Sequence, residues 1–310
     1  MRNCIMGAAA LFAASTLSAS AGTITVDGSI TGDAYGPARA VQTVETGFGD
    51  NFSELDAAYG AVRGGRLFLG LTGNLEANFN KLEIFIDSQA GGENTLSGLP
   101  GNDDANRMAG LTFDSGFTAD YHLIVRRGFD GFGGFGDGKF DVDFAALGGV
   151  GTFDFYEDIF NDGSMPNGGG VEGSGMTGTG INASPIEFAY DNSNIAGVGG
   201  GNGAAADQSA AAAVQTGLEM SIDLADIGSP TGDFRVMAFV NGGGHDFASN
   251  QFLGGVPVGT GNLGGDGAGN FTGVVNFDLN QFAGDQFFTV PEPASIALLA
   301  LGALALVRRR

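Results

Sequence analysis

The chain has 310 residues, with 35 acidic and 13 basic side chains, a formal net charge of −22, 57 glycines, one cysteine and no tryptophan. The acidic surplus counts against a nucleic-acid binder, which needs a basic face to neutralise phosphates. Hydrophobic residues at 43%, among them 26 phenylalanines, are enough for a packed core and count against full disorder.

Residues 1–21 read as a secretory signal. Arg2 supplies the positive start, Ile5 to Ala14 form an apolar run, and Ala19-Ser20-Ala21 fits the small-x-small pattern before cleavage by signal peptidase at Gly22. Cys4 precedes the apolar run and leaves with it, so the mature chain has no thiol and no route to a disulfide or a cysteine nucleophile.

The body, residues 22–290, carries a net charge near −25 and only two lysines, Lys81 and Lys139. Period-two alternation dominates it. Strands are predicted at Asp56–Arg63, Arg66–Leu71, Lys81–Asp87, Tyr121–Arg126, Phe140–Phe144, Ile186–Tyr190, Glu219–Leu224, Phe234–Val240 and Phe271–Leu279. In 81–87, Leu82, Ile84 and Ile86 should face a core while Lys81, Glu83 and Asp87 face water, as in half-buried antiparallel strands. Gly64-Gly65 predicts a tight hairpin between the first two strands. The Gly-rich inserts at 128–138, 161–180 and 192–203 read as mobile surface loops. Phe129, Phe132 and Phe135 recur every third residue in the first insert, which suits a loop folded onto the sheet or a binding tip. The alanine run 204–213 lacks an apolar face and reads as loop.

The expected fold class is therefore all-β: an antiparallel, two-sheet, jelly-roll-like β-sandwich with long Gly-rich loops, an N-terminal signal helix and a C-terminal membrane helix. The segments Val26-Asp27-Gly28-Ser29-Ile30, Leu55 to Tyr59, Arg66 to Leu69 and Gly217 to Leu224 resemble strands of family-nine carbohydrate-binding modules and related DOMON-like sandwiches. That resemblance implies a sandwich and a sugar ligand. Those modules commonly use tryptophan, which this chain lacks, leaving Tyr35, Tyr59, Tyr121, Tyr156 and Tyr190 as substitutes.

Candidate chemistry is sparse. His122 lies within a predicted strand, and His245 lies in a glycine-rich turn beside Asp246, where an exposed His–Asp pair near Ser249 would be the only triad-like grouping. No acidic pair carries a mark of desolvation, so the sequence predicts a body that is not an enzyme. Asn102-Asp103-Asp104-Ala105-Asn106 gathers oxygen donors in a loop, making Asp103 and Asp104 candidate calcium ligands, with a solvated acidic loop as the alternative. Asp141 and Asp143 share one strand face, where metal or water would relieve their repulsion.

The segment 291–310 begins with Pro291-Glu292-Pro293, continues through a largely apolar stretch from Ala294 to Val307, and ends in Arg308-Arg309-Arg310. The stretch reaches roughly 21 Å as a helix, short of the ~30 Å hydrocarbon core, yet with its flanks and some bilayer thinning it can hold the chain in the inner membrane. The arginines favour a cytoplasmic end. Two prolines around a glutamate keep the segment extended and poor in backbone donors, which suits presentation to an enzyme. This tripartite tail resembles the PEP-CTERM sorting signal of Gram-negative bacteria, which implies recognition by an exosortase-type processing enzyme and an association with exopolysaccharide. The expected protein is exported, held transiently at the inner membrane, and then placed at the cell surface or outside. There it would be a structural or interaction component of the envelope or matrix; an exopolysaccharide-binding module and a calcium-dependent adhesion module are the alternatives.

Overall fold

The structure, a computed structural model, describes residues 22–129, 138–160 and 173–291. Its strands are β1 (Ala40–Val41), β2 (Glu54–Arg63), β3 (Arg66–Asn74), β4 (Lys81–Asp87), β5 (Tyr121–Phe129), β6 (Gly138–Ala146), β7 (Thr152–Phe160), β8 (Gly173–Met176), β9 (Glu187–Tyr190), β10 (Gly217–Asp223), β11 (Phe234–Asn241), β12 (Ala248–Leu253) and β13 (Phe288–Val290), with a short α-helix, α1 (Gln208–Ala213), and 3-10 turns at Asn102–Met108, Leu224–Ile227 and Leu279–Gln281 among the described residues. They form two antiparallel sheets. The first runs β1-β2-β3-β10-β9-β8; the second runs β12-β11-β4-β5-β6-β7, with β13 also paired to β11.

The hairpin between β2 and β3 closes at Arg63 opposite Arg66, with Gly64 and Gly65 at φ 57° and 82°, the left-handed pair that a two-residue type I′ turn requires. The central core follows directly from alternation. Leu67, Leu69 and Leu71 from β3 and Leu218, Met220 and Ile222 from β10 face Leu82, Ile84 and Ile86 from β4, and all of these are buried in one cluster.

Alternation misleads on the other face. Lys81, Glu83 and Asp87, expected in water, are 4%, 0% and 7% exposed. A second apolar layer covers this side of the second sheet. Phe85, Ile124, Met237 and Phe239 project outward and pack under Met108, Leu111, Phe113, Phe117, Phe252 and Phe277. A smaller third cluster places Tyr35 and Ile30 over Ala57, Tyr59 and Ala61 on the outside of the first sheet. The fold is therefore a sandwich with both outer faces partly clad by irregular segments. Phe239 is fully buried and stacks on Phe252 at 4.5 Å. Phe239→Ala should cost about 3–5 kcal/mol in chemical denaturation, which would show that the outer layer bears as much weight as the central core.

Several other expectations are corrected. Residues 271–279 are not a strand: Val275, Phe277 and Leu279 fill the outer layer, but the backbone lies outside any named strand and makes one isolated bridge there, Thr112 with Asp278. The alanine run does contain a helix, because Asp207 accepts from the amides of Ser209 and Ala210 as its N-cap and Ala211 is buried. Residues 192–203 are no free surface loop, since Asn192, Asn194, Val198 and Gly203 are buried. Part of the second insert forms β8. Phe129 ends β5, while Phe132 and Phe135 lie outside the described residues. So do the signal segment with Ala19 and Ala21, and the apolar run 294–307. Among the described residues, no helix is long and apolar enough to cross a membrane.

Candidate functional site

The covered outer face of the second sheet gathers the most reactive side chains of the body. Strand register aligns them: Lys81 lies opposite Asn241 on one side and Arg126 on the other, Arg126 lies opposite Asp141, and His122 lies opposite Phe85. Glu83, fully buried, is the hub. His122 Nε2 lies 2.9 Å from one of its oxygens; His245 Nδ1 at 2.7 Å and Asn241 Nδ2 at 3.0 Å approach the other. A carboxylate only accepts, so both imidazoles donate to it. His245 Nε2 reaches on to Asp103 Oδ2 at 3.1 Å, which also meets Lys81 Nζ at 2.7 Å and Arg126 Nη1 at 3.3 Å. Arg126 bonds Asp143 at 2.7 Å, and Asn102 donates to the other oxygen of Asp143.

Burial alone would raise the Glu83 carboxyl, but the charge of His245 and the hydrogen bonds from both histidines hold it well below the usual carboxylate range. Burial lowers His245, and Glu83 and Asp103 overcome that, pushing it up to about 9. Burial likewise raises Asp103, whereas His245, Lys81 and Arg126 bring it down. The network is thus a buried, mutually neutralised charge lattice. Chemically it pins the 102–108 turn and the 241–246 turn onto the sheet.

This arrangement bears on three expectations. His245 is fully buried, not exposed, and its partners are Glu83 and Asp103; Asp246 instead pairs with Arg107 at 3.3 Å. Ser249 is buried and its hydroxyl accepts from the amide of Gln251, so no triad forms with His245. Of the two candidate calcium ligands, Asp103 is contacted by three basic side chains, Lys81, Arg126 and His245, while Asp104 is exposed. The signal that sequence reasoning lacked was charge complementarity across register: lysine, arginine and histidine on β4 and β5 facing acids on β4 and β6.

Of the five tyrosines, Tyr35, Tyr59 and Tyr190 are buried, and Tyr121 and Tyr156 are half-buried. Among the described residues, exposed phenylalanine rings include Phe52, Phe271 and the pair Phe153 and Phe155, which lie two positions apart on β7, with the Arg126 guanidinium 4.8 Å from the Phe155 ring centre. Elsewhere, carboxylate oxygens of Asp27, Asp33 and Glu219 lie within 4.8 Å of one another. Glu219 is already satisfied there: the amides of Asp27, Gly28 and Ser29 donate to one oxygen and the Tyr35 hydroxyl to the other. Burial pushes Glu219 up to about 7.

The remaining site is the exit of the chain. Phe288 and Val290 are buried and Thr289 is exposed; the three residues pair with Val236, Arg235 and Phe234 of β11. Val290 packs against the first sheet at Gly60, where even a Cβ would lie 2.6 Å from a Val290 methyl. Pro291 follows at once and ends the ladder, since proline has no amide hydrogen to donate. The family model of the PEP-CTERM protein-sorting motif matches residues 289–310. The chain carries a PEP-CTERM sorting signal. That signal supports export and membrane-associated sorting by an exosortase-type enzyme in Gram-negative bacteria. Its first two residues, Thr289 and Val290, are also the end of β13, so the PEP-CTERM signal starts inside the folded body. Glu292, Pro293 and the basic cluster Arg308, Arg309 and Arg310 lie outside the described residues. No curated protein and no solved structure matches the chain.

Proposed function

We propose that this protein is an exported component of the cell envelope or extracellular matrix, in which a non-catalytic sandwich is delivered by its PEP-CTERM signal and then serves as a structural and interaction unit. The observation that carries this reading is the seamless junction between β13 and the signal. Signal peptidase removes 1–21, the exosortase-type enzyme acts on 291–310, and the body 22–290 is what they deliver. A non-catalytic body is supported by the charge network, whose histidines are buried and spent on Glu83 and Asp103. We read the two-sheet wiring as jelly-roll-like, because strands from both halves of the chain interleave in each sheet.

Intact-mass analysis of the protein from cells and from medium tests this. A released species beginning at Gly22 and ending near Pro291 in an exosortase-bearing host, but one ending at Arg310 when that enzyme is deleted, is the expected outcome. A full-length mass in both hosts would overturn it.

A second reading is favoured by Phe153 and Phe155. Two exposed rings on one face of an edge strand offer the flat apolar surface on which sugars stack, so exopolysaccharide is the ligand class for this strand. Pull-down on the host polysaccharide, lost in a Phe153→Ser, Phe155→Ser double variant, would support it.

A further inference from the structure

At the start of β2 the ladder slips. Leu55 pairs with Gly73 and Ala57 with Thr72, leaving Asp56 as the extra residue of a bulge, while Glu54 lies opposite Asn74. Bulges re-aim side chains, and this one accompanies three polar side chains that meet under the 192–198 segment. Asn194 sits at their centre. Its Nδ2 lies 3.3 Å from Glu54 Oε1, 3.1 Å from Asp56 Oδ2, 3.3 Å from Asn74 Oδ1 and 2.5 Å from the Ala196 carbonyl.

An amide nitrogen has two hydrogens. Four oxygens converge on it, and for the three side-chain oxygens it is the one donor among the described residues. With both carboxyls ionised, as cation binding requires, at least two of the four therefore have no hydrogen to accept. Glu54 and Asp56 are fully buried and Asn74 is 2% exposed, so water does not make up the difference at the surface. Neither carboxylate has a salt-bridge partner among the described residues. A buried acceptor without a donor is costly, and a buried carboxylate without a counter-charge more so, which is why ionising these two groups calls for a cation between them. The opposing oxygens of the carboxylates are committed: Asp56 Oδ1 accepts from the amide of Val198 and Glu54 Oε2 from that of Asn51. Gly197 permits the close approach, since a Cβ there would lie 1.9 Å from Asp56 Oδ1.

We propose that Glu54, Asp56, Asn74 and the Ala196 carbonyl form a site for a hard divalent cation of the calcium class, which takes the point now held by Asn194 Nδ2. Two carboxylates balance its charge, and all four donors are oxygens, the set calcium prefers at 2.3–2.6 Å. Asn194 then turns its amide aside, and the ion ties the bulge of β2 to the 192–198 segment. The Asp27–Asp33–Glu219 group is a weaker claimant because both Glu219 oxygens already have donors.

The test uses the full chain in detergent, titrated with calcium chloride after EDTA treatment. One calcium should bind per chain by equilibrium dialysis, and the unfolding midpoint should rise by about 5 °C or more at saturation. Asp56→Asn and E54Q should each weaken calcium binding at least tenfold, whereas Asp103→Asn should leave it unchanged. Hydrogen–deuterium exchange on the unaltered chain gives a readout independent of any variant: calcium should slow exchange at 192–198. Absence of calcium binding, binding that survives Asp56→Asn, or protection confined to 102–108 would each overturn the proposal.

Discussion

Glu83→Ala should destabilise the body by about 3–5 kcal/mol, the cost of leaving buried charge without its partner. That is a large part of the 5–15 kcal/mol that typically holds a domain together. His245 and His122 both converge on this carboxylate at full or near-full burial. Glu83→Gln keeps the shape and one acceptor, and should cost less. Urea unfolding at pH 6 compares the two, and equal, small losses would show that the network contributes little.

The same network sets a pH dependence. His245 is raised from 6.5 to about 9 in the fold, so its contribution is complete below pH 6.5 and is lost as pH rises through about 9. Glu83 is depressed, so its contribution is present above 4.5 and is lost as pH falls toward its folded value. The network therefore stabilises most between those two limits. Burial raises Glu54 to about 9 and Asp56 to about 8, and a raised carboxyl also loses stability with rising pH. The informative quantity is thus the gap between the unaltered chain and His245→Gln, measured in EDTA. That gap should narrow between pH 6.5 and 9.

Replacing Pro291, Glu292 and Pro293 by alanine should abolish processing while leaving the stability of the body unchanged. The three core clusters are built from residues no later than Val290, so the exchange touches no buried contact described in the fold. Membrane fractions should accumulate full-length chain at the expense of released protein, as read by intact mass. Alanine would also let the backbone enter helical geometry that proline forbids. Release at the normal level from this variant would separate sorting from the motif.

Much of the fold is legible from pattern alone. Leu67-Phe68-Leu69 and Leu82-Glu83-Ile84 declare strands because one side of each lies in the central core. What pattern cannot reveal is a second cover. Glu83 and Lys81 look like solvent-facing residues in any window of seven; only the register that brings His122, Arg126 and Asp141 beside them shows that their charges cancel and can be covered. β7 went unpredicted because Thr152 to Phe160 exposes most of its length at a sheet edge, so no core imposes a clean alternation. Phe271 to Leu279 misled in the opposite sense, since Val275, Phe277 and Leu279 reach a core from an irregular segment that joins no named strand. For the candidate sites, the tail was readable because its recognition is linear. The Glu54–Asp56–Asn194 cage was not, because it joins residues about 140 positions apart in the chain through a one-residue slip.

The overlap of β13 with the signal has a consequence for where the chain can be severed. A cut upstream of Phe288 would strip a strand from β11 and leave the notch at Gly60 unfilled, withdrawing two buried apolar side chains worth roughly 1.5–3 kcal/mol each. A cut beyond Val290 leaves every such contact in place. The sandwich is in this way its own ruler: it measures off the earliest bond that can be broken without harm, and that bond is the one leading into Pro291.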